Sequence, residues 1–496
     1  MVLSIAWAAF TKFFPTEYAV HIVAAIGTVL VFRAFSQGRK TNRERDLHAR
    51  VILVTGGFTP LGLTLLQSLA QRGAHIIALS PHPIDSPRVS ILITLLRSTF
   101  SNEQIFAEQC DLNSPSSIRA FCTKFLTGQE QRLDAIVYAH EYQHIGSVGY
   151  LSRTQTLEEA SSKREASSLS TFLMTTLLLP ALLVAPVERD IRIITVVNPF
   201  YAAAVGPSHF ALPFSSQSSE PPKSSSVFLQ EGIRSLRTSI FTRHLQRILD
   251  ALPTAQVPKT DDASSAVPVV SSKVQKSNIV AVSVSPGISR VDTMAPLLSA
   301  DWATPGSSTV IGIILYLLLQ PLLRIFTKAP SASLQTVLHV LFLPTPFKIL
   351  AQSEPKSEAD KTKASVIDES LTEIPEEVLK PGSLYADCAV VKLKVPVPAS
   401  ADQAAPDQRG DKAKGKGKGK EKVGAGLEDV IEIPDDGEFG GEVTGRLVWE
   451  AYEEALKTWE KANPPGSIEE SAVGAKMDKG LETEGNAASH PGVNIT

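Results

Sequence analysis

Short β-branched runs alternate with segments of helical spacing from residue 51 onward. "VILVT" (Val51 to Thr55) is unbroken and apolar, the pattern of a strand buried on both faces. Leu61, Leu65, Leu66 and Leu69 then recur at helical intervals up to Arg72, and Gly73 follows as a helix-ending residue. The alternation continues. "HIIAL" (His75 to Leu79), "IFAEQCDL" (Ile105 to Leu112), "LDAIVYA" (Leu133 to Ala139), "IRIITVV" (Ile191 to Val197) and "NIVAVSV" (Asn278 to Val284) read as strands. Ser114 to Phe125, a long segment ending in "TFLMTTLLLPALL", and Gln230 to Leu252 read as helices. This order predicts an α/β fold, a Rossmann-like doubly wound parallel sheet with helices on both faces.

Polar stretches punctuate the pattern and set the expected organisation. "SSQSSEPPKSSS" (Ser215 to Ser226) and Leu252 to Lys276 read as surface loops. The chain divides into an N-terminal hydrophobic anchor with a basic linker (1–49) and the α/β domain (50–350), in which 211–229 and 252–277 are flexible loops. A linker (351–381), a last strand (382–394), a low-complexity basic and acidic loop (395–443), a closing helix (444–463) and a disordered tail (464–496) follow.

Two apolar stretches fall outside the alternation. "YAVHIVAAIGTVLVF" (Tyr18 to Phe32) is 15 residues long, against the roughly 20 that span a bilayer core. A span would draw on "FFPTE" before it or on snorkelling of Arg33 after it. Arg33, Arg39, Lys40, Arg43, Arg45 and Arg50 follow against Glu44 and Asp46, a bias that keeps the bulk of the chain on the cytoplasmic side. The endoplasmic reticulum and the mitochondrial outer membrane are the candidate locations. The rival readings are a buried helix and a cleaved signal peptide; for the latter the basic start and small-residue cleavage site are missing. "STVIGIILYLLLQPLLRIF" (Ser308 to Phe326) is expected not to span, because "YADCAVVKL" would close the same sheet on the same side. It is either a buried helix of the substrate loop or a helix dipping into the bilayer interface beside the anchor.

Composition narrows the function. With 48 Lys+Arg against 51 Asp+Glu, the net charge of -3 argues against a nucleic-acid binder. The basic run "DKAKGKGKGKEK" (Asp411 to Lys422) reads as a solvated loop. Cys110, Cys122 and Cys388 form no CxxC pair and no metal-spaced cluster, so neither a disulfide framework nor a metal site is expected.

The motifs carry a resemblance. In "TGGFTPLG", Thr55, Gly56 and Gly62 fit Thr-Gly-x-x-x-Gly-x-Gly, with Pro60 at the middle glycine. On the spacing Gly-x-x-Gly-x-x-Gly it is Thr59 that stands there. Cys110-Asp111-Leu112 ends the third strand, and "VSVSPGISRVDT" (Val282 to Thr293) places Pro286-Gly287 after the sixth. On these residues the chain resembles the short-chain dehydrogenase/reductase superfamily, above all the membrane-associated retinol-dehydrogenase type. It also resembles an uncharacterised fungal family with an N-terminal hydrophobic segment. "SASLQTVLHVLFLP", "GSLYADCAVVKL" and "GRLVWEAYEEALKTWEKA" resemble its late helix, last strand and closing helix.

The resemblance implies NAD or NADP. Thr55, Gly56 and Gly62 would form the turn that meets the pyrophosphate, Asp111 would contact adenine, and Pro286 and Gly287 would frame the nicotinamide. Asp111 has a second reading, as a cap of the following helix. "LSPHP" (Leu79 to Pro83) offers neither an acid for a ribose hydroxyl nor an arginine for a 2′-phosphate. Elsewhere the chain departs from the family. Tyr138-Ala139-His140-Glu141 stands where Asn-Asn-Ala-Gly belongs, and Asn198 stands at the catalytic serine. The Tyr-x-x-x-Lys pair, a phenol whose proton is made mobile by an amine one helical turn away, falls on Glu231 and Ser235 when "FTRHLQR" is aligned. Apolar spacing gives Ser226 and Gln230 instead. Tyr201 and Lys223 are the nearest phenol and amine. Two functions therefore stand: a membrane-anchored scaffold or sensor that binds NAD(P) or a lipid-like molecule without catalysis, and an NAD(P)-dependent oxidoreductase of a hydrophobic carbonyl or alcohol.

Overall fold

All six strands read from the alternation form; the first has the bounds read, the second gains Ser80, and the other four are shortened or shifted by a residue or more. They are β1 (Val51–Thr55), β2 (His75–Ser80), β3 (Ile105–Gln109), β4 (Ala135–Tyr138), β5 (Ile191–Val196) and β6 (Ile279–Ser285). The computed structural model describes residues 19–128, 132–148, 157–186, 189–205, 226–252, 277–301, 308–346, 377–395 and 437–464. Among them one sheet has the order β3-β2-β1-β4-β5-β6-β7-β8, where β7 is Leu384–Ala386 and β8 is Ala389–Val391. Neighbours pair in parallel until β8 turns back antiparallel on β7. The chain winds outward from β1 in one direction to β3, then crosses back to β4 and outward again.

Helices cover both faces, which is why β1, β4, β5 and β6 are buried along their whole length. On one face lie α2 (Pro60–Gln71), α3 (Pro87–Phe100) and α8 (Pro330–Phe342), whose Leu65, Leu69, Val89, Val337 and Leu341 join Ile52, Val54 and Val282 of the sheet. On the other lie α4 (Pro115–Thr127), α5 (Leu157–Leu183), α6 (Val227–Ala251) and α9 (Gly441–Ala462). Their Ile118, Phe172, Phe241 and Tyr452 join Leu53, Ile136 and Ile193. Phe172 stacks on Tyr452, with centroids 5.3 Å apart, so the closing helix completes this layer.

Helix α3 has no counterpart in the sequence reading. Its apolar residues point both ways, Val89 and Ile93 into the core and Ile91 and Leu95 out, so no single stripe marks it. The loop expected over 211–229 ends early, because Ser226 caps α6 and Val227 opens it. Likewise, the expected low-complexity loop over 395–443 runs into the helical turn Glu438–Gly440 and the first turn of α9. Residues 206–225, 253–276 and 351–376, the basic run and the tail beyond 464 lie outside the described residues.

Helix α1 (Ala19–Gln37) carries the N-terminal apolar stretch, and its side chains from Val20 to Phe35 are exposed. It is long and apolar enough to cross a membrane. Glu158–Leu183 of α5 meets the same test but is two-thirds packed inside, as a core helix is. α1 docks on α7 (Val310–Phe326). Ser36 Oγ donates to the Ile325 carbonyl at 2.6 Å, Gln37 brackets Thr327 and Ala329, and the Phe32 and Phe326 rings lie 6.2 Å apart. The basic linker is pinned too. Arg45 pairs with buried Asp190 at 2.8 Å, and Arg192 clamps the same carboxylate. Two of the six basic residues of that segment, Arg45 and Arg50, are therefore held at the base of the sheet.

Candidate functional site

Strands β1 and β4 mark the point where the winding reverses, and the carboxyl ends of the strands there open onto a crevice. A cavity of about 500 Å³ occupies it. Gly56 and Thr59 form one wall, Ser80, Arg88, Asp111 and Leu112 another, and His140, His144, Lys163 and Ser167 a third.

The turn between β1 and α2 is built as the glycines require. Gly56 has φ +63°, and a Cβ there would come within 2.7 Å of the His140 backbone nitrogen. A Cβ on Gly62 would lie 2.1 Å from the Gly56 carbonyl oxygen, so the helix can approach the strand end only with glycine at 62. The start of α2 is nevertheless closed to an anion. Position one is Pro60, which has no N–H. At position two the Leu61 N–H donates to Asp292 Oδ1 at 3.1 Å. At position three the Gly62 N–H donates to Thr59 Oγ1 at 3.1 Å. The donors that a helix N-terminus would offer a phosphate are absent or taken.

Asp292 is 2 % exposed and also accepts from Ser289 Oγ at 3.1 Å. Burial pushes its carboxyl above the usual range, against the downward pull of the Leu61 N–H and the Ser289 hydroxyl. A carboxylate from the segment after Pro286-Gly287 thus stands at the mouth of α2. The residues present fit the adenosine half of a dinucleotide, with Leu79, Val89, Cys110, Asp111 and Leu112 around one cavity wall. They do not fit its diphosphate half without displacing Asp292.

The remaining expected site residues divide. Thr55 does not line the cavity; its hydroxyl meets His140 Nδ1 at 2.7 Å. His140 Nε2 faces the Ser167 carbonyl at 3.1 Å and can only donate there, so Nδ1 accepts from Thr55. Burial lowers this histidine to about 4, leaving it neutral. Asp111 lines the cavity and folds its carboxylate back onto the Asn113 N–H at 3.0 Å, while the cap of α4 is Ser114. Pro286 and Gly287 turn their carbonyls away to Lys328 Nζ at 2.8 Å and Tyr142 Oη at 2.6 Å.

Of the two pairs expected at the relay, α6 buries Glu231 and Ser235, while Ser226 caps its start and the Gln230 amide oxygen accepts from Arg164 Nη1 at 2.8 Å. Glu231 is clamped by Arg164 Nε at 2.6 Å and Arg234 Nη2 at 2.7 Å, a buried charge cluster at one of the positions expected for the phenol. Asn198 is buried, donating to the Tyr142 carbonyl at 3.2 Å and accepting from the Phe200 N–H at 3.2 Å, which caps the helical turn Pro199–Ala204. Tyr201 is half-buried outside the cavity, and Lys223 lies outside the described residues. Among the described residues no tyrosine lines the cavity. The phenol nearest Gly287 is Tyr142, and it donates its proton to that residue's carbonyl.

Sequence reading missed four residues here: Asp292, Tyr142, His144 and Arg88. The stretch Leu79 to Pro83 holds no arginine, as read, but Arg88 lies five residues beyond it. It arrives on α3, the unread helix, and lines the cavity with His82. The other three lie in segments whose local pattern gives no sign of where the side chains go.

Comparisons with known proteins bear on the family. A family model described as "KR domain" matches residues 51–169. An uncharacterised oxidoreductase of Schizosaccharomyces pombe is 29% identical over 189 residues, covering 38% of this chain and 47% of that protein. An uncharacterised oxidoreductase of Saccharomyces cerevisiae is 27% identical over 328 residues, covering 65% of this chain and 74% of its own. The chain thus spans about half of the first relative's length and three-quarters of the second's. Human retinol dehydrogenase 11 is 30% identical over 92 residues, 18% of this chain and 28% of that protein. NAD(P) binding is typical of proteins built on this domain. The strand order, the glycine turn at the switch point and these matches together make the chain a member of the short-chain dehydrogenase/reductase superfamily.

Proposed function

We propose that this protein is a membrane-anchored dehydrogenase-like binding protein that does not run the superfamily's proton relay. It acts as a scaffold or sensor for a lipid-like ligand or a dinucleotide. The observation that carries this reading is the place of the missing phenol. A reducing or oxidising step on a carbonyl needs a group that exchanges a proton while hydride moves. Glu231, held between two arginines, and Ser235 supply no phenol and no amine there. The closed start of α2 adds that a dinucleotide binds weakly. If one binds, Arg88 and His82 favour the 2′-phosphate of NADP.

Anchoring rests on α1 and α7. Val310, Ile311, Ile314, Leu317, Leu318 and Leu322 of α7 are exposed beside the exposed face of α1, and Tyr316 on its inner side packs toward Pro60 and Ala295. An apolar outer face with a packed inner one suits a helix lying in the bilayer interface. A hydrophobic ligand would then reach the cleft from lipid, with the α/β domain on the cytoplasmic side.

The second reading, an NAD(P)-dependent oxidoreductase of a lipid-like carbonyl or alcohol, is favoured by the description of both yeast relatives as oxidoreductases. Titration of the full chain with NADPH and NADH, followed by turnover assays on long-chain aldehydes and ketosteroids, separates the two. Binding without turnover is expected. Turnover with either cofactor overturns the first reading, and failure to bind either at high micromolar concentration removes the second.

A further inference from the structure

His144 follows β4, and its backbone N–H donates to the Asp292 carbonyl at 3.1 Å. Its ring packs edge-on against Phe200, with centroids 5.6 Å apart, and lines the cavity. The residue is 2 % exposed, yet among the described residues neither ring nitrogen has a hydrogen-bond partner. The Ser167 hydroxyl, on α5, is also without a partner and lines the same cavity. Buried polar groups in folded chains are satisfied almost without exception. A phenylalanine would fill the same space against Phe200 with no polar group to satisfy. Residues that break such a rule with no gain in packing collect at binding sites.

The chemistry of the missing partner follows from the ring. Burial lowers His144 to about 4, with Arg234 and Arg164 adding to the drop and Glu231 opposing it. At neutral pH the imidazole is uncharged, with one donor and one acceptor. It suits an oxygen that can take or give a hydrogen bond, and a neutral ring draws no anion. Ile145, Pro296 and Phe58 give the same cavity apolar wall for a hydrocarbon part.

We propose that His144 and Ser167 form the polar end of a ligand site in this cleft, recognising the hydroxyl oxygen of a lipid-like alcohol. This rests on the reading of the cleft as a ligand site, and the test separates the two. Purified full chain in detergent is titrated calorimetrically with 1-dodecanol and with dodecane, as wild type, His144→Phe and Ser167→Ala. The wild type is expected to prefer the alcohol by roughly tenfold or more, the worth of one or two buried hydrogen bonds. His144→Phe is expected to lose that preference while keeping dodecane affinity, and to melt no lower than wild type. Selective ¹⁵N labelling of histidine in the wild type gives a reading that needs no variant: dodecanol, but not dodecane, is expected to shift one ring-nitrogen resonance of His144. A preserved preference in His144→Phe, or no ring shift on dodecanol, overturns the assignment while leaving the ligand site standing. If the wild type binds neither probe, the assignment and the lipid-ligand reading of the cleft both fall, and only the dinucleotide reading is left to the NADPH titration.

Discussion

Asp292→Asn is expected to raise affinity for NADPH. In the wild type the Asp292 carboxylate takes the Leu61 N–H at the start of α2, where a diphosphate would sit. A bound diphosphate would lie within about 5 Å of that carboxylate. Two unit charges at that distance repel by about 3 kcal/mol at an effective dielectric constant of about 20. The half-open cleft screens part of this, so a gain of about 1.5–3 kcal/mol, roughly 10- to 100-fold, is expected. The amide keeps the shape and can still accept from Leu61, so folding should survive. Burial raises the carboxyl's pKa above its unfolded value. Ionised Asp292 therefore costs stability, a cost absent below the unfolded pKa, growing as pH rises from there and complete above the raised folded pKa. The neutral variant is thus expected to be at least as stable at neutral pH. The assay is NADPH fluorescence titration at low and high salt. Wild-type affinity should rise as pH falls toward the raised pKa, whereas Asp292→Asn should stay flat. Equal affinities for the two proteins at low salt would refute the idea that this carboxylate competes with phosphate.

Four further expectations follow from the same contacts. Gly62→Ala brings a Cβ to 2.1 Å from the Gly56 carbonyl oxygen and should destabilise by about 3 kcal/mol or more in urea unfolding. Glu231→Gln leaves Arg164 and Arg234 buried without their counter-charge and should cost about 3–5 kcal/mol by the same measure, with no gain of turnover. His140, His144 and His244, each lowered from 6.5 to about 4 by burial, stay neutral when folded. Their unfolded forms take protons first, so stability should be full above pH 6.5 and fall toward pH 4, less steeply in His144→Phe. On the outer face of α7, Leu318→Glu should reduce co-sedimentation with vesicles and leave the far-ultraviolet dichroism unchanged, because Leu318 is 71 % exposed.

The alternation of short apolar runs with helical spacing made the doubly wound sheet legible, because strands buried on both faces are largely apolar. The turn at Gly56 and Gly62 was also legible, since it sits at a fixed offset from the end of β1. Helix α3 was not, because its apolar residues face both core and solvent, and with it Arg88 went unseen. Nor could spacing reveal how the site is closed. Asp292 and Leu61 are 231 positions apart and meet only because β1 and the turn after β6 end on the same edge of the sheet. The unpartnered ring of His144 is a fact of packing alone, since a local sequence pattern records which residue is present and not which groups surround it. The sequence by itself determined the architecture, because it follows from residue type and local spacing. Tertiary structure decided what holds the start of α2 and which polar atoms face the cleft, because those depend on contacts between segments far apart in the chain.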